Sequence, residues 1–421
     1  MKEFIKSRFL RSVITLMTGS VISQVITIVT TPILSRIYSP TEYGLYGLYG
    51  SYIAILAILG GSIFSQAIII PKSDDDASEV FISSNYFCGF VSISLLVIIL
   101  VCDIITGFTG KSEMGLYYYT LPLMMILNAF YSSLMIWANR QKEYKVIARN
   151  RVVASIGLFL FSFILGYVFR IKSGLILSFL ISYTIALVLL FFSIQKRSPL
   201  TLYSLTFAQF KASLLKYPKF LFLGTPASLI NTFTNQLPIL VLNKYGGAYT
   251  AGYFNMSQKV LGLPTTFIAS AVTDVFKQRA AEDLNNKGSL VSLFKATFRS
   301  LLSISVLPYA LLIAFSPTIF RLILGPEWQE AGVYAQIVGI MYLFRFVISP
   351  LSYVIILANK LQISLIMDIY LFISSFVIFY FSIIKAQNIH LSLAFYALNY
   401  SILYIVTLAL SYQVSQKYRK S

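Results

Sequence analysis

The chain has 421 residues, of which 57% are hydrophobic and only 11% charged, with a net charge of +18 and a mean hydropathy of +0.78. A soluble globular chain carries about a quarter of its residues as charges, so that class is excluded. The positive balance could suit nucleic acid, but the basic residues cluster between apolar runs, where they report membrane orientation; no nucleic-acid partner is expected.

Taken in chain order, apolar runs fall near 13–35, 43–70, 81–102, 116–137, 152–169, 174–194, 220–243, 248–273, 300–320, 332–357, 362–384 and 391–412. Each reaches or approaches the 20 or so residues that cross a bilayer as a helix. The first run follows basic residues, as a secretory leader would. It is too long for a leader core and lacks a small-x-small cleavage site, so it reads as an uncleaved helix.

The N-terminus carries Lys2, Lys6, Arg8 and Arg11, and the second gap Lys72. The fourth gap carries Arg140, Lys142, Lys145, Arg149 and Arg151, the sixth Lys196, Arg197, Lys211, Lys216 and Lys219, and the eighth Lys277, Arg279, Lys287, Lys295 and Arg299. Lys360 lies in the tenth gap, and Lys417, Arg419 and Lys420 end the chain. The odd gaps hold only Arg36, Lys111, Arg170, Lys172, Lys244, Arg321 and Lys385. This asymmetry predicts both termini and the even gaps in the cytoplasm.

Asp74-Asp75-Asp76 is the only acidic run and is expected as a solvated loop. Cys88 and Cys102 share the third span, about 21 Å apart along a helix, too far for a disulfide. Gln195–Lys219 is the longest stretch outside the spans; Leu202, Leu205, Phe210 and Leu214 suggest a short helix lying on the cytoplasmic surface. It divides the chain into residues 1–194, a linker over 195–219, and 220–421. Pro32, Gly60-Gly61, Pro122, Pro226, Pro238, Gly262, Pro264, Pro308 and Pro350 interrupt the spans.

The two halves look related. Ser20, Gln24, Thr27 and Thr31 match Gly224, Ser228, Asn231 and Asn235 at a constant offset of 204. Pro32 and Tyr43-Gly44-Leu45-Tyr46 follow in the first half, Pro238 and Ala251-Gly252-Tyr253-Phe254 in the second. Each set marks one helix stripe. Polar groups avoid lipid, so Gln24, Thr27, Asn231 and Asn235 are expected to face a wet cavity or a neighbouring helix. The repeats start on the same membrane side and are therefore parallel.

Enzymatic chemistry finds no support. There is no His-rich cluster, no pair of carboxylates on one helix face and no Gly-rich phosphate loop. A lone His390 does not make a zinc site, and no cofactor is implied. The costly residues are Lys259, roughly 16 Å into its span, and Arg345, near the middle of its own. Such a charge at the bilayer centre costs about 2.5–3.5 kcal/mol on insertion scales. It needs water, a counter-charge or an anionic substrate; Asp368 is the nearest acidic candidate. Arg36 reads as an interface anchor. Tyr52, Tyr183, Tyr342 and Tyr353 lie within spans, where they can pack or meet sugar rings.

Gly19-Ser20-Val21-Ile22-Ser23-Gln24 and the run Thr31-Pro32-Ile33-Leu34-Ser35-Arg36-Ile37-Tyr38-Ser39-Pro40-Thr41-Glu42-Tyr43-Gly44 resemble the opening of bacterial polysaccharide repeat-unit flippases, the Wzx-type O-antigen transporters. Asn243-Lys244-Tyr245-Gly246-Gly247-Ala248-Tyr249-Thr250-Ala251-Gly252-Tyr253-Phe254 and Gly325-Pro326-Glu327-Trp328 resemble their loops after the seventh and ninth helices. The resemblance implies the multidrug/oligosaccharidyl-lipid/polysaccharide exporter (MOP) fold, an all-α polytopic membrane protein. Twelve transmembrane helices would form two six-helix lobes around a central cavity lined by the first and seventh.

The resemblance further implies alternating-access transfer of an undecaprenyl-pyrophosphate-linked oligosaccharide across the bacterial cytoplasmic (inner) membrane. A polysaccharide polymerase and chain-length machinery would be its partners. Two other readings compete. A cation-coupled drug or small-molecule exporter of the same fold would want a deep carboxylate, where this chain places cations. A polysaccharide polymerase would want a large outer loop bearing Arg or His, and no odd gap is that long.

Overall fold

A computed structural model describes residues 2–286, 290–358 and 360–417. Lys287, Arg419 and Lys420, counted in the basic asymmetry, lie outside the described residues. Every regular element among the described residues is helical. The main helices are α1 (Lys2–Leu34), α2 (Pro40–Leu59), α3 (Asp74–Thr106), α4 (Leu121–Arg140), α5 (Tyr144–Phe163), α6 (Gly174–Arg197) and α7 (Phe207–Lys216). They continue as α8 (Thr225–Pro264), α9 (Ser270–Asn286), α10 (Val291–Ile323), α11 (Gln329–Leu351), α12 (Leu361–Phe379) and α13 (Ile389–Lys417).

Among the described residues, 10 stretches are long and apolar enough to cross a membrane. One of them, Phe220–Lys277, is 58 residues long and is divided at Gly247, whose φ of 81° departs from the helix. With that division, and with the shorter apolar stretch Thr18–Leu34 of α1, they account for the twelve spans expected.

The chain forms two compact units. The first comprises residues 1–38 and 45–233, the second 39–44 and 234–421. Two helices change unit along their length: the first turn of α2 belongs to the second unit and the first nine residues of α8 to the first.

In the first unit, α5 packs on α1 and α6, and α3 on α4. Phe64, Phe81, Trp137, Leu190 and Ile194 lie in one buried apolar cluster. Gly19 seats α1 on α5, since a Cβ there would fall 2.4 Å from that of Ala148. In the second unit α10 packs on α11, α11 on α13, and α12 on α13. Trp328, Phe254, Tyr309 and Phe346 are all at most 1% exposed there.

Several local expectations change in the fold. The aspartates Asp74, Asp75 and Asp76 are not a loop. They form the first turn of α3, where the Ser73 hydroxyl accepts from the Asp76 amide. A helix N-terminus carries partial positive charge, so three carboxylates stabilise it. The second span ends early at Gly60-Gly61: Gly61 adopts φ 83° and a short helix, Ser62–Ser65, follows. Pro122 breaks nothing, because it occupies the start of α4, where its missing amide is not needed.

The linker helix α7 is capped by a reciprocal Thr206–Gln209 box. Leu202 and Leu205 precede that helix, while Phe210 and Leu214 lie within it. Leu205 and Leu214 pack against the first unit's apolar cluster. Loss of solvent and the negative charges of Glu79, Asp75 and Asp76 push the phenol of Tyr203 above its ordinary value.

Arg140 ends α4 and holds the turn before α3. Its Nε lies 3.0 Å from an Asp74 carboxylate oxygen. Its Nη1 donates to the carbonyls of Ile68, Ile69 and Pro71, and its Nη2 to those of Lys72 and Ser73. The sequence marks Arg140 only as one cation of a basic gap.

Candidate functional site

The Ser39–Gly44 segment shows why its residues are needed. The Ser39 amide and hydroxyl both donate to the Glu42 carboxylate, at 2.7 and 2.9 Å. The Glu42 amide returns a bond to the Ser39 hydroxyl at 3.4 Å. This is a capping box at the start of α2, with Pro40 as first helical residue. Just before it, the Tyr38 hydroxyl donates to the Ser162 carbonyl at 2.8 Å. Tyr38 belongs to the first unit and Ser39–Gly44 to the second, so the motif marks the point where the chain changes unit.

Gly44 and Gly252, which stand in the two runs that follow the stripes of the first and second halves, meet backbone to backbone. A Cβ on Gly44 would lie 1.7 Å from the Ala248 carbonyl oxygen, and one on Gly252 1.8 Å from that of Pro40. The ring of Tyr43 meets Trp328 edge-on at 5.1 Å, and Tyr253 meets the same indole at 6.4 Å. Three separated sequence segments thus converge inside the second unit, and what they build is tight packing.

Lys259 sits beside this packing. Its Nζ lies 5.8 Å from the centre of the Tyr43 ring. One turn earlier on α8, the Asn255 amide donates to the Tyr43 carbonyl at 3.2 Å. Lys259 is half-buried and, among the described residues, makes no ion pair.

Arg345, on α11, is exposed. Its guanidinium carbon lies 5.8 Å from the Tyr342 ring centre, and it also lies in electrostatic reach of Tyr396, Tyr400 and Tyr404. It too makes no ion pair among the described residues, so the expected alternative of an Asp368 partner is not realised. Tyr396, Tyr400 and Tyr404 form a continuous ladder, with centroids 4.6 and 6.2 Å apart. Their i, i+4, i+8 spacing is visible in the sequence as one stripe of α13, a signal the reading of lone tyrosines missed.

The polar stripe of α1 divides. Ser20 accepts a hydrogen bond from Arg151, and Ser23, one position before Gln24, bonds Ser155; these are contacts between α1 and α5. The Thr27 and Thr31 hydroxyls donate to carbonyls one turn back, those of Ser23 and Thr27. Gln24 and Thr27 are half-exposed, while Asn231 and Asn235 are exposed on α8. Gln24, Thr27 and Asn231 fall in the first unit, and Asn235, Lys259 and Arg345 in the second.

Residues 33–333 match the family described as polysaccharide biosynthesis protein. No curated protein matches. Among solved structures, the chain is similar to a multidrug resistance MATE family transporter of the MOP superfamily in its inward-facing conformation, with 14% identity, 95% of each chain covered and a TM-score of 0.72. It is also similar to a MOP-superfamily transporter from Pyrococcus furiosus described as having a binding pocket of reversed polarity. The identity there is 15%, with 98% of this chain and 96% of that one covered and a TM-score of 0.61. A MATE transporter in complex with MaL6 matches at 15% identity over 97% and 96%, with a TM-score of 0.64. At these identities the likeness establishes the fold, and the family match covers well over half the chain; the protein belongs to the polysaccharide biosynthesis protein family and has the fold of the MOP-superfamily transporters.

Proposed function

We propose that this protein is a membrane transporter, a flippase. It would carry undecaprenyl-pyrophosphate-linked oligosaccharide repeat units from the cytoplasmic to the periplasmic leaflet of the bacterial inner membrane, with both termini in the cytoplasm. The observation that carries the reading is a pair of intramembrane cations, Lys259 and Arg345, with no carboxylate partner among the described residues. An unpaired charge at that depth is costly, and an anionic cargo offsets the cost when it binds. The family description supports polysaccharide biosynthesis as the setting.

In this reading each group has a distinct role. Lys259 and Arg345 attract the pyrophosphate or an acidic sugar. Tyr396 and Tyr400 are buried, so Tyr404, the half-buried end of the ladder, is the ring that offers a face and a hydroxyl to a sugar. Gln24 and Thr27, half-exposed, and Asn231 and Asn235, exposed, place polar groups along a wet path. The prenyl tail stays in lipid, where its hydrocarbon is already solvated. Alternating access then exposes the same groups to one leaflet and the other in turn.

The test is surface polysaccharide assembly in cells whose only copy carries Lys259→Ala or Arg345→Ala. Each variant should lower assembly roughly tenfold or more, the scale of one lost charge-assisted contact, at normal protein level in the membrane. Lys259→Arg should retain more activity than the alanine variant, although its geometry differs. Normal assembly by both alanine variants would refute the proposal.

A further inference from the structure

The second unit carries an apolar groove between the start of α10 and the last turns of α13, with a volume of about 350 Å³. That size falls within the range of small-molecule sites, about 300–1,000 Å³. Phe294, only 3% exposed, is its most buried lining residue; Phe298 and Leu408 are half-buried and Ala409 is exposed. Lys295 and Tyr412 are the polar residues that line it. The Lys295 Nζ lies 5.6 Å from the Tyr412 ring centre, and Phe294 meets the same ring, tilted, at 5.7 Å.

Lys295 is the fifth residue of α10 and Tyr412 lies five residues from the described end of α13. Both therefore sit where helices leave the bilayer, the level of lipid headgroups. Arg299 follows one turn after Lys295, and both cations are exposed. Neither makes an ion pair among the described residues. Hydrocarbon below and uncompensated positive charge above is the pattern that complements one kind of molecule, an anionic amphiphile.

We propose that this groove holds one acyl chain of an anionic phospholipid, with its headgroup phosphate on Lys295. Tyr412 fixes the level of the headgroup, as interfacial tyrosines do, and Arg299 adds to the local positive potential. The site lies on the surface of one unit and does not depend on what the protein transports. A bound lipid at this place would tie α10 to α13 at their membrane ends.

The test uses the full chain with Phe298→Trp as a reporter, in phosphatidylcholine vesicles containing rising mole fractions of a brominated lipid. Bromine quenches only an indole it touches, and the natural Trp137 and Trp328 are at most 1% exposed, so quenching reports the groove. Brominated phosphatidylglycerol should bind about fivefold more tightly than brominated phosphatidylethanolamine, the contribution of one lysine near the surface. Lys295→Gln should reduce the difference below about twofold while both lipids still quench. Ala409→Phe, which adds bulk at the exposed lining residue, should suppress quenching by both. A Leu408→Trp reporter repeats the measurement from α13. Equal affinities for the two lipids, or a preference that survives Lys295→Gln, would overturn the proposal. So would displacement of phosphatidylglycerol by undecaprenyl phosphate at an equal or lower mole fraction, which would assign the groove to an isoprenoid.

Discussion

Replacing Gly252 with alanine should loosen the second unit, because the added methyl has no space to enter. The new Cβ would stand 1.8 Å from the Pro40 carbonyl oxygen, against an ordinary contact of at least 3.4 Å. The obstacle is backbone, so no side chain can swing aside. The first turn of α2 and the 248–252 turn of α8 must part by about 1.6 Å.

Overpacking of this kind costs about 1–3 kcal/mol, and a main-chain clash places it near the upper end. The same separation weakens the Asn255–Tyr43 bond and the Tyr43–Trp328 contact. Gly44→Ala meets the reciprocal obstacle, at 1.7 Å. Once either variant has opened the crossing the other finds more room, so the double variant should cost less than the two singles together.

Gly50, also on α2, is the internal control because a Cβ there meets nothing within 4 Å. Gly50→Ala should be neutral, or stabilising by up to about 1 kcal/mol from helix propensity. Unfolding by sodium dodecyl sulfate in mixed micelles, followed by the fluorescence of buried Trp328, measures all four variants. The reasoning is refuted if Gly252→Ala unfolds at the same detergent fraction as Gly50→Ala.

The remaining predictions concern the other unit, the polar stripes and the orientation. Arg140→Lys should destabilise the protein by about 2 kcal/mol or more, because a lysine cannot hold Asp74 and the fan of carbonyls that the guanidinium does; an unchanged unfolding midpoint would count against that role. In a Cys102→Ser background, cysteines at Gln24, Thr27, Asn231 and Asn235 should react with a small water-soluble thiol reagent, whereas one at Val29, exposed and apolar and expected to face lipid, should not. Equal protection at all four positions would mean a dry interface. Reporter fusions at Lys111, Lys244 and His390 should read periplasmic and those at Lys145 and Lys211 cytoplasmic; one inverted reading would mean a miscounted helix.

How much of this could be read without a structure depends on the range of the interaction. The spans were legible because lipid forces each crossing segment to satisfy its own backbone and to be apolar throughout, a demand met within about 20 consecutive residues. The Ser39–Glu42 and Thr206–Gln209 boxes were equally local, three residues apart. The internal repeat placed the runs holding Gly44 and Gly252 after its two stripes, yet nothing along the chain said that the two glycines would touch.

Tertiary packing decided that contact, and with it the place of Lys259. Tyr43, Lys259 and Trp328 are far apart in sequence and meet only because α2, α8 and the Gly325–Trp328 turn close on one another. The aspartates of α3 looked like a loop for a related reason: their charge is unfavourable within a span, but Ser73 caps them and Arg140, from the end of another helix, holds Asp74. Hydropathy is a property of a segment and is written in it. The neighbour of a half-buried lysine, a packed glycine or a capping arginine is chosen by whichever segment arrives beside it, and that choice exists only once the helices have packed.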